Sequence, residues 1–356
     1  MSTTNHNGIE IGIYTLADIG PDPLTSKTIT PKQRMNEMIQ AAKLADDAGL
    51  DVYGVGEHHR LDYASSSPAV VLAAITQATN RIKLTSTTSV LSTLDPVRLF
   101  ADFATLDLLS DGRAEILAGR GAFIESFPLF GYSTNDYDEL FTEHMELLLQ
   151  LNRNERVSWS GNFRSPLRNA EISPRPIQEE IPIWIGVGGT SESAVRAGKF
   201  GVGMALAILG EDPLRFKPLV DLYRKAGMEA GHSSESLKVG VTGHAYISET
   251  TQQAKDEFFP YYSNYWSYVN LQRGMGSRMS RADFEHMASP NTALFVGSPQ
   301  QIVEKVLHQH ELFGHKRFLA QVDIGGLPYH KVAKNIELLA TEVAPVIKKA
   351  TSQINH

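Results

Sequence analysis

No cysteine occurs anywhere in the chain. That absence removes disulfides, thiolate nucleophiles and thiolate metal sites, and it fits a reducing compartment. Basic clusters are missing too: 33 Lys and Arg face 40 Asp and Glu, for a formal charge of −7, and no run of positive charge stands out. Such a surface offers little to nucleic acid or an anionic membrane, so neither is expected as a partner. Long hydrophobic runs are also absent. No uncharged apolar stretch approaches the roughly 18 residues needed to cross a bilayer. The opening MSTTNHNG is polar where a signal peptide would carry its apolar segment. A cytoplasmic protein is expected. What remains is ordinary globular composition, 42% hydrophobic and 21% charged over 356 residues, enough for two domains or for one α/β barrel with insertions.

Strand and helix patterns alternate along this length. Ile9 to Tyr14 reads as a first strand. Thr30-Pro31 is an N-cap with proline at the first helical position; Met35, Met38, Ile39 and Ala42 share one helical stripe, and Gly49 fits the residue just past the helix. The second strand, Asp51 to Gly56, follows at once. Ser67-Pro68 and Asp95-Pro96 open helices on either side of a third strand, Ile82 to Ser86, and Ser298-Pro299 caps another late in the chain. A fourth strand, Arg113 to Gly119, leads to a loop from Arg120 to Asn135 and a helix from Asp136 to Leu151. Residues 152–180 look irregular, with a hairpin-like turn at Trp159 to Asn162. Further strands are expected at Pro182 to Val187, Val202 to Ile208, Val239 to Ile247 and Phe318 to Val322, with a final helix from about Tyr329 to Lys349. Eight strands alternating with helices predict a single closed (β/α)8 TIM barrel over residues 1–356, with 250–290 as an insertion after the seventh strand. A doubly wound open sheet is the competitor.

The chemistry concentrates at strand ends. Leu50 to Arg60, LDVYGVGEHHR, delivers Glu57, His58 and His59 at the carboxyl end of a buried strand, where ionisable groups are costly in a core and useful in a site. Strand alternation places Glu57 and His59 on one side and His58 on the other. The plain alternative is a hydrogen-bonded histidine pair closing the strand. A zinc pair, Glu57 with His59, lacks further ligands, because the first strand ends in Ile, Gly and Tyr. Gly188-Gly189-Thr190-Ser191 joins a strand to a helix and offers free N–H groups, hydroxyls and a helix N-terminus, the makings of a phosphate cradle or merely of a tight turn. Arg120, after the fourth strand, is a candidate counter-charge or a surface ion pair. Thr85 to Ser89 lines the third strand's end with small hydroxyl residues that suit either a strand or a flat ligand. The aromatic run from Phe258 to Val269 suits an interface or a pocket wall.

Four segments together, in order, resemble the bacterial luciferase-like, flavin-dependent monooxygenases: Gly56-Glu57-His58-His59; Thr87 to Leu91 with Asp95 to Arg98; Ser110 to Arg113 leading to Gly119-Arg120-Gly121; and Pro182 to Trp184 leading to the Gly188 turn. The resemblance implies a (β/α)8 enzyme that takes reduced FMN as co-substrate and oxidises a small organic molecule with O2 through a flavin C4a-hydroperoxide. It implies that His58 is the catalytic proton donor and that Glu57 lies beside the flavin. Thr87 and Thr88, in place of the family's usual Ala-Ala, are implied to be joined by a cis peptide behind the isoalloxazine. Arg120 with Gly188, Gly189, Thr190 and Ser191 is implied to hold the phosphate, and the insertion's aromatics to form a lid. No metal is implied. Electrons would come from NAD(P)H directly or through a separate flavin reductase, and a homodimer is the family expectation. Rival readings on the same fold are F420-dependent hydride transfer and a non-catalytic flavin-binding protein; a sugar-phosphate barrel is a third.

Overall fold

A computed structural model describes residues 8–121, 123–272 and 278–352. Eight strands alternate with helices: β1 (Glu10–Thr15), β2 (Val52–Val55), β3 (Lys83–Ser86), β4 (Ala114–Gly119), β5 (Ile183–Val187), β6 (Gly203–Ala207), β7 (Val239–Ile247) and β8 (Arg317–Gln321). Each pairs in parallel with the next, and β8 pairs with both β7 and β1, in register Ala320 with Gly243 and with Ile13. The sheet is therefore a closed barrel. Every expected strand is present within one residue or two of its predicted ends.

The helix starts follow the caps read from sequence, with one exception. Thr30 accepts a hydrogen bond from the Gln33 backbone N–H at 3.1 Å, and Pro31 opens the helix Pro31–Asp47. Asp95 accepts from the N–H groups of Val97 and Arg98, and Ser298 from that of Gln301. Ser67 makes no side-chain cap; there Pro68 alone starts the helix. Past the first of these helices, Gly49 takes φ 87°, a left-handed conformation that costs glycine little. Within 152–180 lies an antiparallel hairpin, Arg156–Trp159 with Leu167–Glu171, whose connection is longer than the predicted four-residue turn. The stretch after β7 forms the helices Thr251–Gln272 and Arg281–Met287. Its positions 273–277 lie outside the described residues.

Buried charge sits at the amino-terminal end of the barrel. Arg317 of β8 reaches Glu115 of β4 at 2.5 and 3.0 Å and Glu10 of β1 at 2.6 Å, and its guanidinium lies over the Trp184 ring. Burial works against ionising Glu10, but Arg317 and Lys83 outweigh it and hold its carboxyl at about 2. This layer is structural and leaves the opposite end free for chemistry, as in other barrels.

Acid sensitivity follows from a histidine behind the sheet. His315 is fully buried, and burial, helped by the nearby His310, pushes it down to about 3. Its folded value lies below the ordinary 6.5 of an unfolded chain, so the stability it contributes is present above pH 6.5 and is lost as the pH falls toward 3. Between pH 7 and pH 5 this amounts to about 2 kcal/mol. Urea midpoints measured across that interval are expected to fall, and to fall less in His315→Asn. An identical slope in the variant would contradict the assignment.

Candidate active site

At the carboxyl ends of the strands a cavity of about 350 Å3 opens. β2 ends at Val55, and the chain beyond it leaves strand geometry. Glu57, His58 and His59 therefore all line the cavity, and the alternation expected from a regular strand does not extend to them. Both oxygens of the buried Glu57 are engaged: one meets His59 Nε2 at 2.8 Å, the other accepts the Val90 N–H at 2.9 Å. The Glu57 carboxylate is thus pinned. His58 is held differently. Its backbone N–H donates to Ser65, its ring stacks on Tyr63 at 4.1 Å, and the Phe123 ring stands edge-on at 5.4 Å. Its Nδ1 lies 3.7 Å from Glu125 Oε1, beyond a hydrogen bond but within ion-pair reach. Burial raises the Glu125 carboxyl, yet His58 and the backbone N–H groups of Glu125 and His59 together outweigh burial and keep it below the usual range. One imidazole on an aromatic seat with one carboxylate at its edge can hold and deliver a proton.

The floor is built from small residues. The Thr87–Thr88 peptide is cis, as the resemblance implies. Both threonines line the cavity, and the neighbouring strands carry glycine where they pass. A Cβ at Gly54 would lie 2.5 Å from Thr87 Cγ2, and one at Gly119 would lie 2.5 Å from Thr88 Oγ1. Any larger residue at either position would push a threonine out of place.

At the rim, Arg120 donates to Asp138 Oδ1 at 2.6 Å and to Ser193 Oγ at 2.7 Å, with its guanidinium over the Tyr137 ring. Ser193 in turn bonds Thr190 Oγ1 at 2.7 Å. Arg120 and the turn before the helix Ser191–Phe200 are thereby joined. Gly188 lines the cavity, whereas Gly189, Thr190 and Ser191 stand outside its lining, exposed. Sequence reading missed Arg196, which reaches the same Asp138 oxygen at 2.7 Å, and Ser193. Their spacing was the available signal: three apart on one helix, they share a face. Slight burial raises the Asp138 carboxyl, but the two arginines outweigh it and the net shift is downward. Two guanidiniums thus share the one Asp138 carboxylate.

The roof is the helix Thr251–Gln272. Its aromatic run divides: Phe258, Tyr261 and Tyr262 pack into the core, while Tyr265, Trp266 and Val269 face the cavity. Tyr14 of β1, Thr242 and His244 of β7 and Gln321 of β8 complete the far wall. Burial pushes His244 down to about 3, so it is neutral, and its Nδ1 meets Tyr262 Oη at 3.2 Å. Sequence reading missed this wall entirely.

Five buried polar atoms around this one cavity have no hydrogen-bond partner among the described residues: Thr87 Oγ1, Glu125 Oε2, Ser126 Oγ and both amide atoms of Gln321. Buried polar groups in folded proteins are nearly always paired. Three of these atoms, on Thr87, Glu125 and Ser126, lie over the flat floor and beneath the Arg120 rim, a setting that fits a planar, hydrogen-bonding, anionic-tailed group. A more open groove of about 490 Å3, beside the 156–171 hairpin, is lined by Glu139, Glu143 and Glu146. There Glu143 is already satisfied by the N–H groups of Asn162 and Phe163. Among the described residues, no group of three or more His, Asp or Glu side chains is placed to hold a metal ion. No described helix is long and apolar enough to cross a membrane.

Comparison with known proteins agrees with this geometry. A family model described as luciferase-like monooxygenase matches residues 9–316. The oxygenase component of the flavin-dependent trigonelline monooxygenase of Acinetobacter baylyi is 22% identical over 353 residues, covering 92% of this chain and 94% of that protein. Among solved structures, monooxygenase RslO1 from Streptomyces bottropensis superposes with a TM-score of 0.81 at 24% identity, over 95% of this chain and 99% of that one. The oxygenating constituent of 3,6-diketocamphane monooxygenase from Pseudomonas putida, in complex with FMN, gives 0.75 at 18% identity, over 95% and 98%. An F420-dependent secondary alcohol dehydrogenase gives 0.73 at 16%, over 96% and 99%. At these identities the structures speak for the barrel alone.

Proposed function

Because the chain belongs to the luciferase-like monooxygenase family, we propose that it is a flavin-dependent monooxygenase using reduced FMN and O2 to oxidise a small organic substrate. The observation that carries this reading is the cis Thr87–Thr88 floor under the Arg120 rim, with Thr87 Oγ1, Glu125 Oε2 and Ser126 Oγ buried and without partners on that side of the cavity. Reduced FMN, when bound, supplies the electrons that activate oxygen. The chain's own residues do the rest. Thr87, Thr88 and Gly119 present a flat, small surface to the ring. Arg120 and Ser193, with the turn Gly188-Gly189-Thr190-Ser191, take the phosphate, where backbone N–H groups at a helix start favour an anion. Glu57 fixes the β2 end beside the ring through His59 and Val90. His58 holds the one proton that the reaction needs, and the roof of Tyr265, Trp266 and Val269 keeps out water, which would otherwise divert turnover to hydrogen peroxide.

Residues 1–356 are proposed to act as one domain in the cytoplasm, as a homodimer. Reduced flavin is proposed to come from a separate reductase, as the phrase "oxygenase component" in a relative's name suggests; direct use of NAD(P)H is the alternative source. One observation favours a second reading, F420-dependent hydride transfer. Arg196 beside Arg120 would suit a longer anionic tail than a single phosphate. Anaerobic binding of the two reduced cofactors separates the readings: preference for reduced FMN is expected, and preference for F420 would overturn the first.

A further inference from the structure

The cavity has two unlike halves. Its acidic and arginine lining residues, Glu57, Arg120 and Glu125, come together with His58 and His59 from the ends of β2 and β4 and the loop after β4. The half formed by β1, β7, β8 and the roof helix contributes Tyr14, Thr242, His244, Tyr265, Trp266 and Gln321, and no Asp, Glu, Lys or Arg. His244 there is neutral, and its Nδ1 is taken by Tyr262. By register Gln321 lies between His244 on β7 and Tyr14 on β1. The Tyr14 phenol is engaged by Thr242. The Gln321 side chain is fully buried, and neither its amide oxygen nor its amide nitrogen has a partner among the described residues. On the roof, the Trp266 indole engages the same Tyr262 hydroxyl.

We propose that Gln321 selects the substrate, and that this half of the cavity takes a neutral, planar molecule carrying a hydrogen-bond donor and acceptor side by side, as a lactam or imide does. A carboxamide presents one N–H and one C=O in a plane, and its complement is the same pair reversed. An anion has no cation to meet here, and its oxygens would face the Gln321 carbonyl. A cation has no carboxylate. The rest of the wall is largely aromatic, with Tyr14, Tyr265 and Trp266, suited to a ring. The assignment rests on the proposed function in one respect: the opposite half, with Thr87, Thr88 and Arg120, is reserved for the cofactor.

A site built to hydrogen-bond a ligand rejects the analogue that leaves its own groups unpaired. The test is calorimetric titration of the full chain, with oxidised FMN present and absent, using carbostyril (a two-ring lactam), N-methylcarbostyril and the anion quinaldate. Carbostyril is expected to bind, N-methylation to weaken it by about 10-fold or more, and quinaldate not to bind. Gln321→Leu should erase the difference between the two lactams and leave FMN affinity and melting temperature unchanged. Gln321→Met serves the same comparison if the leucine variant does not fold. Equal affinity for the two lactams in the unaltered protein would overturn the proposal, as would no carbostyril binding at about 1 mM. A Gln321→Leu variant that loses FMN would instead give the amide to the cofactor and overturn it too. Lactam discrimination in a protein that never binds FMN would support Gln321 and sink the cofactor reading alone.

Discussion

Replacing His58 with alanine is expected to leave reduced FMN bound and to break the link between its oxidation and substrate turnover. Product formation should fall by about 10²- to 10⁴-fold, the usual worth of a positioned general acid, and hydrogen peroxide should account for nearly all the oxygen consumed. Binding survives because His58 lies away from the rim: its contacts are Tyr63, Phe123 and Glu125, and none reaches Arg120 or the Gly188 turn. Coupling fails because the other groups lining the same cavity are committed or hard to protonate, His59 being bound to Glu57. Glu57 is committed to His59 and Val90, and His244 is too hard to protonate. His58→Gln keeps much of the shape and hydrogen bonding without the titration, so it should uncouple as well and guard against a packing artefact. Coupling that persists in both variants would remove His58 from its role.

Arg120→Ala is expected to weaken reduced FMN by about 100-fold while leaving reduced riboflavin unaffected, because a charge-assisted hydrogen bond to phosphate is among the strong ones. The geometry supports this selectivity. Arg120 is steadied from three sides, by Asp138, Ser193 and the Tyr137 ring, and Ser193 passes that order on to Thr190. Arg120→Lys should recover only part of the affinity, since an ammonium cannot reproduce the fork that engages Asp138 and Ser193 together. Fluorescence titration of both flavins under anaerobic conditions reads the effect. A variant that loses FMN and riboflavin equally would place Arg120 against the ring and not the phosphate.

The barrel was legible because its signals are local. Proline just after Thr30, Asp95 and Ser298 fixes helix starts, Gly49 marks a helix end, and apolar runs between them mark strands. Where long-range contacts decide, local reading stops. β8 starts one residue earlier than its apolar pattern suggests, since Arg317 is buried only by virtue of Glu10 on β1 and Glu115 on β4. Glu57, His58 and His59 were legible as a group, but not their common orientation, because the strand ends at Val55 before alternation can separate them. Arg120 and the Gly188 turn could be named as partners. That they meet through Ser193, with Arg196 alongside, depends on how β4 and the helix after β5 approach one another. Gln321 gave no signal at all: one polar residue near a strand end looks like any other until both amide atoms prove to be buried and unpaired.

The central claim is that this cavity takes reduced FMN, with the phosphate at Arg120. It is tested most directly by anaerobic titration of the purified protein with reduced FMN and, in parallel, reduced F420. The account predicts saturable binding of reduced FMN in clear preference to F420, followed by oxygen consumption when air is admitted. Preference for reduced F420, with a bound cofactor indifferent to oxygen, would contradict it.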